Sequence, residues 1–128
     1  MSAERATMLR VDHVQIAIPP GAEEACRAFY VGALGMTELV KPAELAGRGG
    51  LWLRSGEVEI HLGVEQDFRP ARKAHPGIVV RDIDALGASV EAAGGAPTWD
   101  DAIPGVRRFF TADPLGNRLE FIGSSNHG

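Results

Sequence analysis

The sequence predicts an α+β fold made of two similar halves, in each of which a strand and a helix precede three further strands. Apolar residues recur at every second position in the stretches that predict strands. Two other stretches change to a spacing of about 3.6 residues, which is typical of an amphipathic helix. Because 128 residues suit a single domain, the repeated order predicts one pseudo-symmetric domain rather than two separate ones.

The first half begins with a predicted strand over Val11–Ile18, which has an apolar face and carries His13 on the opposite face. Two prolines and a glycine end this strand. The apolar spacing over Ala22–Ala33 then predicts an amphipathic helix, for which Gly35 is a suitable C-terminal cap. Three short strands are predicted next, over Thr37–Val40, Leu51–Arg54 and Glu57–Val64.

The second half repeats this order. A strand is predicted over Ala74–Val80 and carries His75, after which Asp82 is expected to cap a helix that ends at Gly94–Gly95. The remaining strands are predicted around Thr98–Trp99, over Val106–Ala112 and over Asn117–Ile122. Residues 65–73, which lie between the halves, predict a charged linker.

Composition and charge exclude several classes of function. Thirteen basic and 17 acidic residues give a net charge of −4, so the chain has no overall attraction to nucleic acid or to an anionic membrane. The single cysteine, Cys26, cannot form an intramolecular disulfide, which favours a reducing compartment. No apolar run approaches the length of a membrane-spanning helix. These features predict a cytoplasmic protein without nucleic-acid or membrane partners.

Aligning the two halves superposes four residues that could bind a metal ion. The first strands place His13 opposite His75, 62 residues apart, and the last strands place His61 opposite Glu120, 59 residues apart. Each side chain lies opposite the apolar face of its strand, and three of the four histidines occupy these places. Three imidazoles and a carboxylate suit zinc, iron, nickel, cobalt or manganese. The alternation does not show whether the four side chains meet, so purely structural histidines remain the alternative.

Five stretches of the chain carry a family resemblance. They are Asp12-His13-Val14-Gln15-Ile16, Ala28-Phe29-Tyr30 with Leu34-Gly35-Met36, Glu59-Ile60-His61-Leu62, His75-Pro76-Gly77-Ile78, and the sequence from Asp113 to Phe121, DPLGNRLEF. In this order they resemble the βαβββ modules of the vicinal oxygen chelate superfamily, which includes glyoxalase I, bleomycin-resistance proteins, fosfomycin-resistance enzymes and extradiol dioxygenases. The resemblance covers Leu9 to Gly123, with module one at about 9–64, a linker at about 65–73 and module two at about 74–123.

The resemblance implies that the two modules form a half-open mixed β-barrel around a metal cavity, with the helices outside. It implies that His13, His61, His75 and Glu120 hold one divalent metal ion per site. The ion is expected to chelate two neighbouring oxygens of a small-molecule substrate. The resemblance also implies a homodimer, and it leaves open whether one chain or two chains build each site.

The reaction stays open because this chain departs from glyoxalase I, which has a glutamate in place of His61. Glyoxalase I moves the substrate proton with ligand carboxylates, so Glu120 is the expected catalytic residue here and Glu59 is the second candidate. An isomerase or lyase follows from that chemistry. The triad of His13, His75 and Glu120 instead resembles the iron sites of extradiol dioxygenases.

Two readings without catalysis remain. One is a bleomycin-resistance-like dimer that sequesters a cationic drug in an acidic cleft, which the net charge of −4 favours. The other is a metal-stabilised scaffold without turnover, in which protein atoms would fill every coordination position.

Overall fold

The computed structural model describes residues 5–124, which form two four-stranded mixed sheets, the two predicted helices and a short 3₁₀ helix that was not predicted. The first sheet has the strand order β1–β4–β3–β2, with β1 at Val14–Ile18, β2 at Thr37–Leu39, β3 at Leu51–Ser55 and β4 at Val58–Val64. The second has the order β5–β8–β7–β6, with β5 at Gly77–Val80, β6 at Thr98–Asp100, β7 at Arg108–Ala112 and β8 at Arg118–Gly123. In each sheet the first strand pairs in parallel with the last. The α+β class is therefore confirmed.

Both sheets pack their apolar faces against the helices, so one core runs through the molecule. Helix α1, at Glu23–Cys26, continues as a helical segment over Arg27–Ala33, and helix α2 spans Ile83–Ala92. As predicted, Asp82 caps α2, because its Oδ1 accepts a hydrogen bond from the N–H of Ala85 at 3.1 Å. None of the helices within residues 5–124 is long and apolar enough to cross a membrane.

The first helix differs from the α-helix predicted over Ala22–Ala33, because Arg27–Ala33 is π-helical. The N–H of Leu34 donates to the carbonyl of Phe29, five residues earlier. Four of the five positions that the apolar spacing predicted, Ala22, Cys26, Phe29 and Ala33, are buried. Ala25 is exposed instead, and Tyr30, which the spacing did not include, is buried. Apolar spacing indicates which side of a helix is buried. The number of residues per turn also depends on tertiary contacts, which the spacing does not describe.

The first strand of each module is shorter than predicted. Strand β1 begins at Val14 rather than Val11, and β5 begins at Gly77 rather than Ala74. His13 therefore directly precedes β1, and His75 precedes β5 by two residues, so both histidines lie just outside the paired part of their strands.

The turn between β7 and β8 ties the two modules together. Asn117 is only 2% exposed, and its Nδ2 donates to the carbonyl of Ala17 on β1 at 2.9 Å. Its Oδ1 accepts from the N–H of Ala71, also at 2.9 Å. The adjoining Asp113 accepts a hydrogen bond of 2.7 Å from the buried hydroxyl of Tyr30. This turn thus connects β1, the linker and the first helix through buried polar groups, and its role is structural.

Burial makes the thiol of Cys26 a poor nucleophile. Desolvation and the nearby charges of Asp113 and Glu23 raise its pKa to about 12. At pH 8 about one thiol in ten thousand is then ionised. We expect the native protein not to react with Ellman's reagent at pH 8, whereas the protein unfolded in guanidinium chloride should release one equivalent of thiolate per chain. Rapid reaction of the native protein would contradict the buried position.

Candidate metal centre

Two of the four predicted ligands lie side by side on the polar face of the first sheet. His61 on β4 is paired with Gln15 on β1 and with Trp52 on β3, so all three point to the same face. The rings of His13 and His61 stack with centroids 3.9 Å apart and planes 14° apart. Trp52 stacks on His61 at 4.1 Å and 6°. His61 therefore lies between two parallel rings and is only 6% exposed.

The stacked rings limit what this pair can bind. The lone pair of an imidazole nitrogen lies in the plane of its ring. Because the planes of His13 and His61 are nearly parallel, their lone pairs do not converge on one point. In this arrangement His13 alone can direct a nitrogen at an ion outside the stack, and His61 would have to rotate to bind the same ion.

Two carboxylates fix the tautomers of these histidines. Nδ1 of His13 lies 3.0 Å from Oδ2 of Asp12, and Nε2 of His61 lies 2.7 Å from Oε2 of Glu59. A hydrogen bond from His13 lowers the pKa of Asp12, and one from His61 lowers the pKa of Glu59. Both carboxylates therefore accept a ring proton, which leaves Nε2 of His13 and Nδ1 of His61 with a lone pair.

Asp12 orients His13, although the sequence analysis did not identify it as a residue of the site. Its orienting contact is of the kind that commonly supports a metal-binding histidine. The sequence signal for this role is the dipeptide Asp12-His13 just before a strand. Because the two residues are neighbours in the chain, their side chains can form a hydrogen bond without any long-range contact.

The other two predicted ligands meet at the start of β5. Nε2 of His75 lies 3.0 Å from Oε1 of Glu120, and Nδ1 of His75 lies 2.8 Å from the carbonyl oxygen of Lys73. The second carboxylate oxygen of Glu120, Oε2, accepts a hydrogen bond of 2.9 Å from Arg108. Gly77, the β-ladder partner of Glu120, leaves the space above the carboxylate open.

This second pair has the donor geometry of a cation site. A carbonyl oxygen only accepts hydrogen bonds, so Nδ1 of His75 must carry its proton. Nε2 of His75 and Oε1 of Glu120 lie 3.0 Å apart, which is a hydrogen-bond distance when a proton lies between them. Without that proton the two atoms would offer one nitrogen and one oxygen donor to a divalent ion, which would take the place of the proton.

The four predicted ligands thus form two pairs, and one chain does not bring them together. Within residues 5–124 no group of three His, Cys, Asp or Glu side chains is placed to hold a metal ion. The donors suit a transition metal by type. A complete site would need one pair from each of two polar sheet faces that face each other.

Both carboxylates predicted to move a proton are held by arginines. Burial alone would raise the pKa of Glu120, but the hydrogen bonds from His75 and Arg108 outweigh it and lower the pKa. Glu59 uses Oε1 for Arg54 at 2.5 Å and Oε2 for His61. Glu120 is the better placed of the two, since its Oε1 lies 3.0 Å from Nε2 of His75, the other predicted ligand of module two.

Known structures resemble this chain along its whole length. A glyoxalase family protein from Bacillus anthracis is 46% identical, with a TM-score of 0.90 over 94% of this chain and 99% of that one. A fosfomycin resistance protein from Listeria monocytogenes is 11% identical, with a TM-score of 0.74 over 92% and 95% of the two chains.

A member of the glyoxalase/bleomycin resistance protein/dioxygenase superfamily from Sphaerobacter thermophilus is 19% identical, with a TM-score of 0.71 over 91% of this chain and 98% of that one. The last two share the fold at low identity. No model of a protein family matches the chain, and no curated protein does.

Proposed function

The chain belongs to the glyoxalase family of the vicinal oxygen chelate superfamily, and from this premise we propose that it is a metal-dependent enzyme whose small substrate is bound through two neighbouring oxygen atoms. The observation that carries the proposal is the contact between His75 and Glu120, in which Nε2 and Oε1 lie 3.0 Å apart. The module repeat supplies a second pair, His13 and His61, at the equivalent positions of module one.

We further propose that each metal site is completed by a second copy of the chain. His13 and His61 of one chain would then face His75 and Glu120 of its partner, and a homodimer would hold two equivalent sites. Two features support this arrangement: the pairs do not form a group of three within residues 5–124, and the His13 side chain remains 39% exposed. To bind the same ion, the His61 ring would have to leave its stack between His13 and Trp52 and its contact with Glu59.

The chain's own residues divide the chemistry between them. Asp12 and the carbonyl of Lys73 hold His13 and His75 in the tautomers that direct Nε2 outward. Arg108 holds Oε2 of Glu120, so Oε1 is the atom that would hold the ion and, on leaving it, take the substrate proton. Glu59 is the second candidate for that role. A bound divalent ion would supply Lewis acidity, which polarises the two substrate oxygens.

The metal content of the protein tests this proposal. We expect about one ion per chain, measured by plasma mass spectrometry on untagged protein purified anaerobically and reconstituted separately with zinc, iron(II), nickel, cobalt and manganese. Preferential binding of iron would direct assays towards dioxygenases, and zinc, nickel or cobalt towards isomerases and lyases. If none of the five ions binds, the proposal is wrong and the drug-sequestering dimer takes its place.

A further inference from the structure

A cavity of about 520 Å³ lies over the stacked histidines. The first sheet supplies its floor with His13, His61 and Trp52, and the loop that follows β2 supplies its rim with Lys41 and Arg48. A short 3₁₀ helix at Ala43–Arg48, which the sequence did not predict, carries Arg48 to this rim.

The loop is held in place by contacts of its own. Nζ of Lys41 donates to the carbonyl of Gly49, and the N–H of Gly50 donates to Oε2 of Glu23 at 2.8 Å. Gly50 has a φ of 81°, and a Cβ there would lie 2.1 Å from the carbonyl oxygen of Leu62. The rim is therefore fixed against β4, which keeps both cations beside the histidine pair.

The lining of the cavity holds two cations, Lys41 and Arg48, and two carboxylates, Asp12 and Glu59. Both carboxylates are already engaged by other groups: Asp12 contacts Arg10 and His13, and Glu59 contacts Arg54 and His61. Within residues 5–124 neither Lys41 nor Arg48 forms an ion pair. The carboxylate of Glu23 is not close enough to Lys41 to form one, although the charge of Lys41 helps to lower the pKa of Glu23. Two cations therefore face the cavity without a paired anion.

The part of the proposed site that contains His75 also has cations that pair with no carboxylate among the described residues. Arg69 and Arg118 line the cavity that contains His75. The guanidinium of Arg118 lies over the ring of Phe110 at 4.3 Å and, among the described residues, pairs with no carboxylate. Glu120 lies outside the lining of this cavity and pairs with Arg108, which Asp100 also contacts. Both halves thus present cations that the fold leaves unpaired.

We propose that Lys41 and Arg48 bind an anionic oxygen group of the substrate, a carboxylate or a phosphate, beside the metal-binding pair. The substrate is then an anion that carries two neighbouring oxygens in addition to this group. This inference rests on the proposed function and deepens it, because it assigns the charge of the ligand. It opposes the reading in which an acidic cleft holds a cationic drug.

Three catechols that differ mainly in charge test the inference. Catechol is neutral, 3,4-dihydroxybenzoate adds a carboxylate and dopamine adds an ammonium group, while all three offer the same vicinal oxygens. Calorimetric titration of the zinc-loaded full-length protein, without oxygen, is expected to give an affinity for 3,4-dihydroxybenzoate about tenfold above that for catechol. Dopamine should bind more weakly than catechol.

Two double variants that remove the same charge distinguish the effect of Lys41 and Arg48 from the effect of net charge. In the double variant Lys41→Gln/Arg48→Gln the ratio of the affinities for 3,4-dihydroxybenzoate and catechol should fall to about one. The double variant Arg81→Gln/Arg107→Gln removes the same charge from outside this cavity, and it should keep the preference. Equal affinities for the three catechols in the wild-type protein, or tightest binding of dopamine, would overturn the inference and leave the metal site standing.

A metal-free measurement distinguishes failure of the inference from failure of the proposed function. Inorganic phosphate is titrated into the apo protein while the fluorescence of Trp52 is followed in a Trp99→Phe background. A saturable change that is lost in Lys41→Gln/Arg48→Gln supports the anion site even if no metal binds. The absence of any change, together with a flat catechol series, would show that the rim does not bind anions.

Discussion

Replacing His75 with alanine is expected to lower the bound metal from about one ion per chain to less than about a tenth of that. The variant removes Nε2, one of the two atoms that converge across 3.0 Å, and leaves only Oε1 of Glu120 in module two. His75 is partly exposed, and its Nδ1 bonds to a carbonyl of the linker, so the fold should survive the change. Plasma mass spectrometry measures the loss, and thermal unfolding followed by circular dichroism checks the fold.

A control for this result comes from the fourth histidine, His127, which lies outside the described residues. The variant His127→Ala removes one imidazole without touching the proposed set, and it should retain metal at the wild-type level. Full retention of metal by His75→Ala would contradict the assignment of this residue as a ligand.

Mixing two variants that have each lost metal binding tests whether the sites are shared between chains. His13→Ala disables the module-one pair and His75→Ala disables the module-two pair. In a mixed dimer one shared site carries both replacements and the other carries neither. After unfolding and refolding of an equal mixture, about half of the dimers are mixed, so about a quarter of the wild-type metal should return. If each site lay within one chain, mixing would restore nothing.

Replacing Asn117 with alanine is expected to lower the free energy of unfolding by about 3 kcal/mol. The side chain is buried and joins the carbonyl of Ala17 on β1 to the N–H of Ala71 in the linker. Its loss leaves both backbone groups without that partner and removes a donor to Asp113. Urea denaturation followed by circular dichroism measures the change.

Two further variants calibrate the effect of Asn117→Ala. Gln66→Ala removes an exposed amide from the linker, and it should change stability by less than about 0.5 kcal/mol. Tyr30→Phe removes the hydroxyl that donates to Asp113, and it should cost about 1 kcal/mol. A cost below about 1 kcal/mol for Asn117→Ala would show that the turn does not hold the modules together.

The fold was predictable because its signals are local and occur twice. Strand alternation and the helix spacing act over a few residues, so they predicted the order of elements, and the Asp82 cap was confirmed in the same way. The π-helical geometry of Arg27–Ala33 and the short helix at Ala43–Arg48 were not predicted. Both are segments whose backbone conformation the apolar spacing does not specify.

The candidate site was only partly predictable. Alternation correctly placed His61 and Glu120 on polar faces, and the repeat made them equivalent. It did not reveal that His61 is stacked between His13 and Trp52 or that Glu120 is shared by His75 and Arg108. Those contacts depend on which strands are neighbours and on their register.

By itself the sequence determined the residue types, the face on which each lies and the pairing of the two modules, because these follow from periodicities of 2 and 3.6 residues. Only the tertiary structure decided that the four predicted ligands form two separate pairs. It also decided that the cavity beside His13 holds two cations, Lys41 and Arg48, that form no ion pair within residues 5–124. The reason is that charge pairing and convergence are properties of distance between side chains, and residues far apart in sequence acquire those distances only when the chain folds.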